Sequence, residues 1–81
     1  MGGIFIIETR VTLSKVSDIN DFVNLTNKCI DDVIVYGGRY IVNGKSLMGI
    51  YSLDLSEPLK VEFHGDIPDE VKEGMKKFVV N

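Results

Sequence analysis

The six residues Leu59-Lys60-Val61-Glu62-Phe63-His64 alternate between apolar and polar. Side chains along a strand point to opposite faces in turn, so this segment predicts a strand with one buried and one wet face. A sheet that contains it must be covered on one side only. The cover is legible in segments of a different period. Ile19, Phe22, Val23, Thr26, Cys29 and Ile30 recur at three- and four-residue spacings and predict a helix of roughly 13 residues with a single apolar stripe. It is expected to start at Ser17-Asp18, whose short polar side chains can accept from first-turn amides. Val71, Met75, Phe78 and Val79 make a second stripe. Pro68 suits the first turn of that helix, and Asp69 and Glu70 favour its positive end. Glu73 and Lys77 are expected to pair on its exposed side, and Gly74 to cost it about 1 kcal/mol relative to alanine.

The remaining segments complete the order. Ile4 to Val11 is rich in Ile, Phe, Thr and Val and reads as a strand, with Leu13 to Val16 as a connection. Asp32 to Tyr36 is a β-branched run, Gly37-Gly38 supplies the positive φ of a tight hairpin, and Arg39 to Val42 is the return strand. Asn43-Gly44 breaks it. A short helix follows from Ser46 to Leu53, and Gly65-Asp66-Ile67-Pro68 is a turn. The sum is βαββαβα, an α+β open-faced sandwich. Its four-stranded antiparallel sheet is covered on one face by three helices, in a single domain spanning 1–81.

Charge and cysteine usage narrow the function classes. The formal net charge is −3, which argues against a nucleic-acid footprint, since that needs a basic face. No apolar run reaches the length of a membrane span. Met1-Gly2-Gly3-Ile4-Phe5 lacks the basic and long apolar regions of a signal peptide, and Ile6 stands where a myristoylation signal wants Ser or Thr. Cys29 is the one cysteine and can form no internal disulfide, which agrees with a reducing compartment. The chain reads as cytoplasmic. Cys29 lies on the core stripe and reads as a small buried apolar group. Asp31-Asp32 has no partners at a metal spacing, and Gly37-Gly38 is no phosphate cradle because no helix or lysine follows at P-loop spacing. Lys15, Arg10, Arg39, Lys45 and Lys60 read as solvated charge. No catalytic triad, metal set or cofactor is expected.

The segment Val42-Asn43-Gly44-Lys45-Ser46-Leu47-Met48-Gly49-Ile50-Tyr51-Ser52-Leu53 resembles the region around the regulatory serine of the histidine-containing phosphocarrier proteins (HPr) of the bacterial sugar phosphotransferase system. The Gly65-to-Glu70 turn resembles the family more weakly. The resemblance runs without a gap from Lys15 to Glu70, and the order of elements agrees with it. It implies the HPr-like open-faced sandwich. In the family a histidine, followed by Ala, Arg and Pro, opens the first helix, takes a phosphoryl group from enzyme I and passes it to sugar transporters. Here that run is Lys15-Val16-Ser17-Asp18. A charged lysine has no lone pair for phosphorus. Ser17 offers no bidentate cation to a phosphate, and Asp18 and Asp21 bring carboxylates to the positive end of the helix. Histidyl phosphotransfer is therefore expected to be absent.

Ser46 corresponds to the serine that an ATP-dependent kinase phosphorylates in Gram-positive members, which then dock on a transcriptional regulator of carbon metabolism. Leu47, Met48 and Tyr51 resemble the partner-facing patch. The residues read by themselves allow a plainer role, with Ser46 as an N-cap and its apolar neighbours packed inward. The resemblance is to the catabolite-repression HPr variants, which keep the serine and lack the histidine. It implies a regulatory, protein-interaction role rather than a stand-alone enzyme. Two alternatives stand beside it. One is a working phosphocarrier that uses another acceptor, for which His64 is the only histidine. The other is a docking module unrelated to sugar transport.

Overall fold

The computed structural model describes residues 6–80. The expected strand start at Ile4 and Phe5, and the leader and lipidation readings at Met1 to Phe5, lie outside the described residues. Four strands and three helices follow in the order β1 (Ile6–Val11), α1 (Val16–Thr26), β2 (Val33–Gly37), β3 (Tyr40–Asn43), α2 (Leu47–Tyr51), β4 (Leu59–His64) and α3 (Asp69–Met75). The strands form one sheet in the order β1-β4-β2-β3, and every pairing is antiparallel.

The alternation in β4 decides which face is covered. Leu59, Val61 and Phe63 are buried, and Val33 and Val35 of β2 lie beside them in register. Ile19, Phe22 and Val23 of α1, Ile50 of α2, and Val71 and Met75 of α3 join the same core. Phe22 meets Phe78 edge to face, with ring centroids 6.3 Å apart, the arrangement that aromatic quadrupoles favour.

Several local expectations change on contact with the fold. The hairpin loop is Gly38-Arg39, because Gly37 still pairs with Tyr40; of the two hairpin glycines only Gly38 has positive φ, at 58°, the first-corner geometry that glycine tolerates. Helix α1 stops at Thr26, so Ile30 leaves the apolar stripe and stands 93% exposed. Val79 is not on a helix. It bridges to Val11, and the Val80 amide donates to the Arg10 carbonyl, so the chain end guards one edge of the sheet. Glu73 pairs with Lys76, while Lys77 reaches Asp21 of α1. Gly74 has a packing reason: a Cβ there would sit 2.6 Å from Leu25 Cδ2.

The wet face of the sheet carries a polar cluster centred on Glu62. Tyr36 Oη donates to Glu62 Oε1 at 3.0 Å, and His64 Nε2 lies 3.1 Å from the same oxygen. Lys60 Nζ is 3.6 Å from Glu62 Oε2 and 3.7 Å from Glu8 Oε1, and it sits over the Tyr36 ring. The hydrogen bond to His64, then that from Tyr36 and the Lys60 charge, hold the Glu62 carboxyl below its ordinary range against a partial desolvation. A carboxyl lowered by folding stabilises the fold above its unfolded pKa and loses that contribution as pH falls through the folded value. Glu62→Gln is thus expected to lower the urea midpoint near neutral pH and to reduce its fall below about pH 4.5. Parallel curves for the two proteins across pH 3 to 7 would contradict this.

Candidate functional site

Two helix starts hold the residues singled out in the sequence. At α1, Lys15 is the extended N-cap residue, with φ −142° and ψ 166°, and its side chain makes no cap. Its carbonyl accepts from the Asp18 amide at 2.9 Å and the Ile19 amide at 3.1 Å. The helix therefore begins at Val16, and its cap lies two residues before Ser17. Asp18 acts from inside the first turn. Its Oδ2 accepts from the Ser14 amide at 3.1 Å and from the Ser14 hydroxyl at 3.0 Å. The Ser14 amide is the main cause that holds this carboxyl below the usual range. An ionised carboxylate thus stands at the positive end of α1, where a bound anion would meet it.

His64 lies elsewhere. Val11, which leads into α1, pairs with Leu59, whereas His64 closes the far end of β4, about 17 Å away along the strand. The end of α1 marks that far side too: Thr26 reaches Gly44, whose amide donates to Val33, and Val33 pairs with Phe63. The His64 side chain is on the wet face against Glu62. The fold does not bring His64 to the α1 start. It also does not gather the five basic residues, since Arg10 and Lys60 face each other across β1 and β4 while Lys15 and Lys45 sit at helix starts.

At α2, Ser46 is the N-cap in extended geometry, and its Oγ accepts from the Gly49 amide at 3.0 Å. A short polar residue after the Asn43-Gly44 break fits this role, because the hydroxyl satisfies an orphan donor of the first turn. One turn of helix then sorts its side chains. Ile50 is fully buried, while Leu47, Met48 and Tyr51 remain 38%, 77% and 41% exposed. The cap and an exposed apolar patch share one surface element.

The loop before Ser46 is held from three sides. The Gly44 amide donates to the Val33 carbonyl of β2 at 2.6 Å, and a Cβ on Gly44 would lie 2.6 Å from Val33 Cγ1. The Thr26 hydroxyl, fully buried at the end of α1, donates to the Gly44 carbonyl at 2.7 Å. Asn27 Nδ2 donates to the Lys45 carbonyl at 3.0 Å. Lys45 Nζ turns back to the Cys29 carbonyl at 2.7 Å and the Ile30 carbonyl at 3.5 Å. Burial pushes the Cys29 thiol up from its ordinary value, so it is no poised nucleophile. Thr26 is legible as a stripe residue, but its hydroxyl contact is not, and no pattern singles out Asn27. Among the described residues no group of His, Cys, Asp or Glu is placed to hold a metal ion, and no helix is long and apolar enough to cross a membrane.

No family model and no curated protein matches this chain. Solved structures do. The crystal structure of the phosphocarrier protein HPr from Bacillus anthracis str. Ames is similar with a TM-score of 0.72 and 24% identity, covering 93% of this chain and 98% of that one. HPr-C-His from Thermoanaerobacter tengcongensis is similar with a TM-score of 0.66 and 25% identity, over 94% of this chain and 89% of that one. The chain has the HPr fold, an α+β open sheet with three helices, as the segment around Ser46 implies.

The cap at Ser46 makes a stability prediction. Ser46→Ala removes the acceptor for the Gly49 amide and should cost about 1 kcal/mol. Ser46→Asp keeps an acceptor at the same place and should retain most of that stability. Urea denaturation of the three proteins checks this, and equal midpoints for serine and alanine would contradict it.

Proposed function

We propose that this chain is an HPr-like regulatory module that carries no histidyl phosphoryl group and is switched at Ser46. The observation that carries the reading is the contrast between the two helix starts. The α1 start, to which the family's acceptor histidine corresponds by the resemblance, presents an ammonium and a carboxylate. The α2 start presents a hydroxyl beside exposed Leu47, Met48 and Tyr51.

The chemistry at Ser46 is phosphoryl transfer from ATP by a serine kinase. The Ser46 Oγ–P bond forms, the bond to ADP breaks, and the hydroxyl proton leaves to the kinase's base. The phosphate keeps an oxygen within reach of the Gly49 amide, so the modified residue still caps α2, and the added charge suits the positive end of the helix. The modified surface then combines a dianion with an apolar cluster that includes a flexible methionine, a combination suited to a protein partner with a basic and an apolar pocket. By the resemblance, that partner is a transcriptional regulator of carbon metabolism, and the setting is the bacterial cytoplasm.

Incubation with a bacterial HPr kinase and ATP, read by intact mass and peptide sequencing, tests the switch. The expected result is one phosphate, on Ser46, and none on a Ser46→Ala variant. A partner captured by the phosphorylated form is expected to lose at least about tenfold in affinity when Met48 or Leu47 becomes alanine, the size of loss that marks a buried apolar anchor. An unmodified Ser46 would remove the switch. Undiminished binding by both variants would remove the patch.

A further inference from the structure

Lys45 has an unusual set of partners. Its side chain is half-buried, and among the described residues its ammonium hydrogen-bonds only to the neutral carbonyls of Cys29 and Ile30. None of the ion pairs among the described residues includes it. Those two carbonyls belong to the loop that leaves α1. That loop keeps Cys29 5% exposed while Ile30 points to solvent. It is otherwise tied by the Cys29 amide to the Thr26 carbonyl and, at its far end, by the Asp32 carbonyl to the His64 amide. The ammonium therefore closes the middle of the loop. It stems from the residue next to Ser46.

We propose that Lys45 is a latch: it clasps the Cys29 and Ile30 carbonyls while Ser46 is unmodified, and a phosphate on Ser46 draws the ammonium away and loosens the loop that buries Cys29. This rests on the reading of Ser46 as the modified residue. Consecutive Cα atoms are about 3.8 Å apart, so the phosphate lies within reach of the flexible four-carbon stem of Lys45. A cation prefers a dianion with three acceptor oxygens to two neutral carbonyls. The Asn27 contact to the Lys45 carbonyl uses the backbone, so the side chain can move while the loop before Ser46 stays tethered. The device links the switch to a second surface element, the loop that carries exposed Ile30.

The thiol of Cys29 reports the latch, because a buried thiol reacts only when its cover opens. Phosphoserine is installed at position 46 during synthesis, so the result does not depend on any kinase or partner. Iodoacetamide labelling of Cys29 under native conditions is then measured in the wild type and in Lys45→Met, each with serine or phosphoserine at 46. Amide exchange of Val33 and Val35 is followed in parallel to register global opening. Lys45→Met with unmodified Ser46 is expected to label about tenfold faster, the scale of a lost hydrogen bond to a charged group. Phosphoserine in the wild type is expected to accelerate labelling by a similar factor, and to add nothing in the Lys45→Met background. In every protein the opening constant at Cys29 is expected to stay well above that at Val33 and Val35, which marks a local opening of the loop. The latch is overturned if Lys45→Met leaves labelling unchanged, if phosphoserine leaves it unchanged in the wild type, if the phosphoserine effect persists without Lys45, or if Cys29 opens with the same constant as Val33 and Val35. A failed kinase assay with a successful labelling cycle would sink the proposed switch and leave the latch standing.

Discussion

The close approach of Gly44 to β2 sets where the segment that carries Ser46 stands. Its amide reaches the Val33 carbonyl at 2.6 Å, and its own carbonyl takes the buried Thr26 hydroxyl at 2.7 Å. Sheet, first helix and the loop before Ser46 are thereby joined at one residue that has no room for a side chain. An unpaired polar group at such a depth costs on the order of 1–3 kcal/mol, so the three elements hold one another in place. The α2 turn follows, with Ile50 in the core and Leu47, Met48 and Tyr51 outside it.

The two helix starts use the same backbone physics to opposite ends. Both leave first-turn amides that want an acceptor. At α1 no side chain caps them; Asp18 instead turns back to the amide and hydroxyl of Ser14, ahead of the helix, and brings a full negative charge to its start. At α2 it is a neutral hydroxyl on the cap itself. A site that already holds its own anion is a poor place for a transient phosphoryl group, whereas a hydroxyl cap can be converted into an anion without losing its hydrogen bond.

The sheet was legible in the alternation of Leu59 to His64, and the helices in the three- and four-residue spacings of Ile19 to Thr26 and Val71 to Met75, because burial on one side imposes those periods. What the pattern could not carry was where each period stops. Cys29 and Ile30 continue the α1 spacing, yet only Cys29 is buried, since the chain leaves the helix at Thr26. Val79 likewise fits the α3 stripe but pairs with Val11 as a strand residue. Gly74 looked like a cost to its helix until Leu25 filled the space above it. In the candidate site, Ser46 and its apolar neighbours stood out by resemblance. Thr26, Asn27 and Lys45 act through contacts between distant segments, and no local spacing reveals those.

The account stands on the proposal that an HPr-like scaffold here carries no phosphoryl group on histidine. The most direct measurement exposes the purified protein to enzyme I and phosphoenolpyruvate and looks for acid-labile phosphate by phosphorus NMR and intact mass. The account predicts an unmodified protein under conditions that fully charge a histidine-bearing HPr. A phosphoramidate formed at a kinetically competent rate, on His64 or any other group, would contradict it.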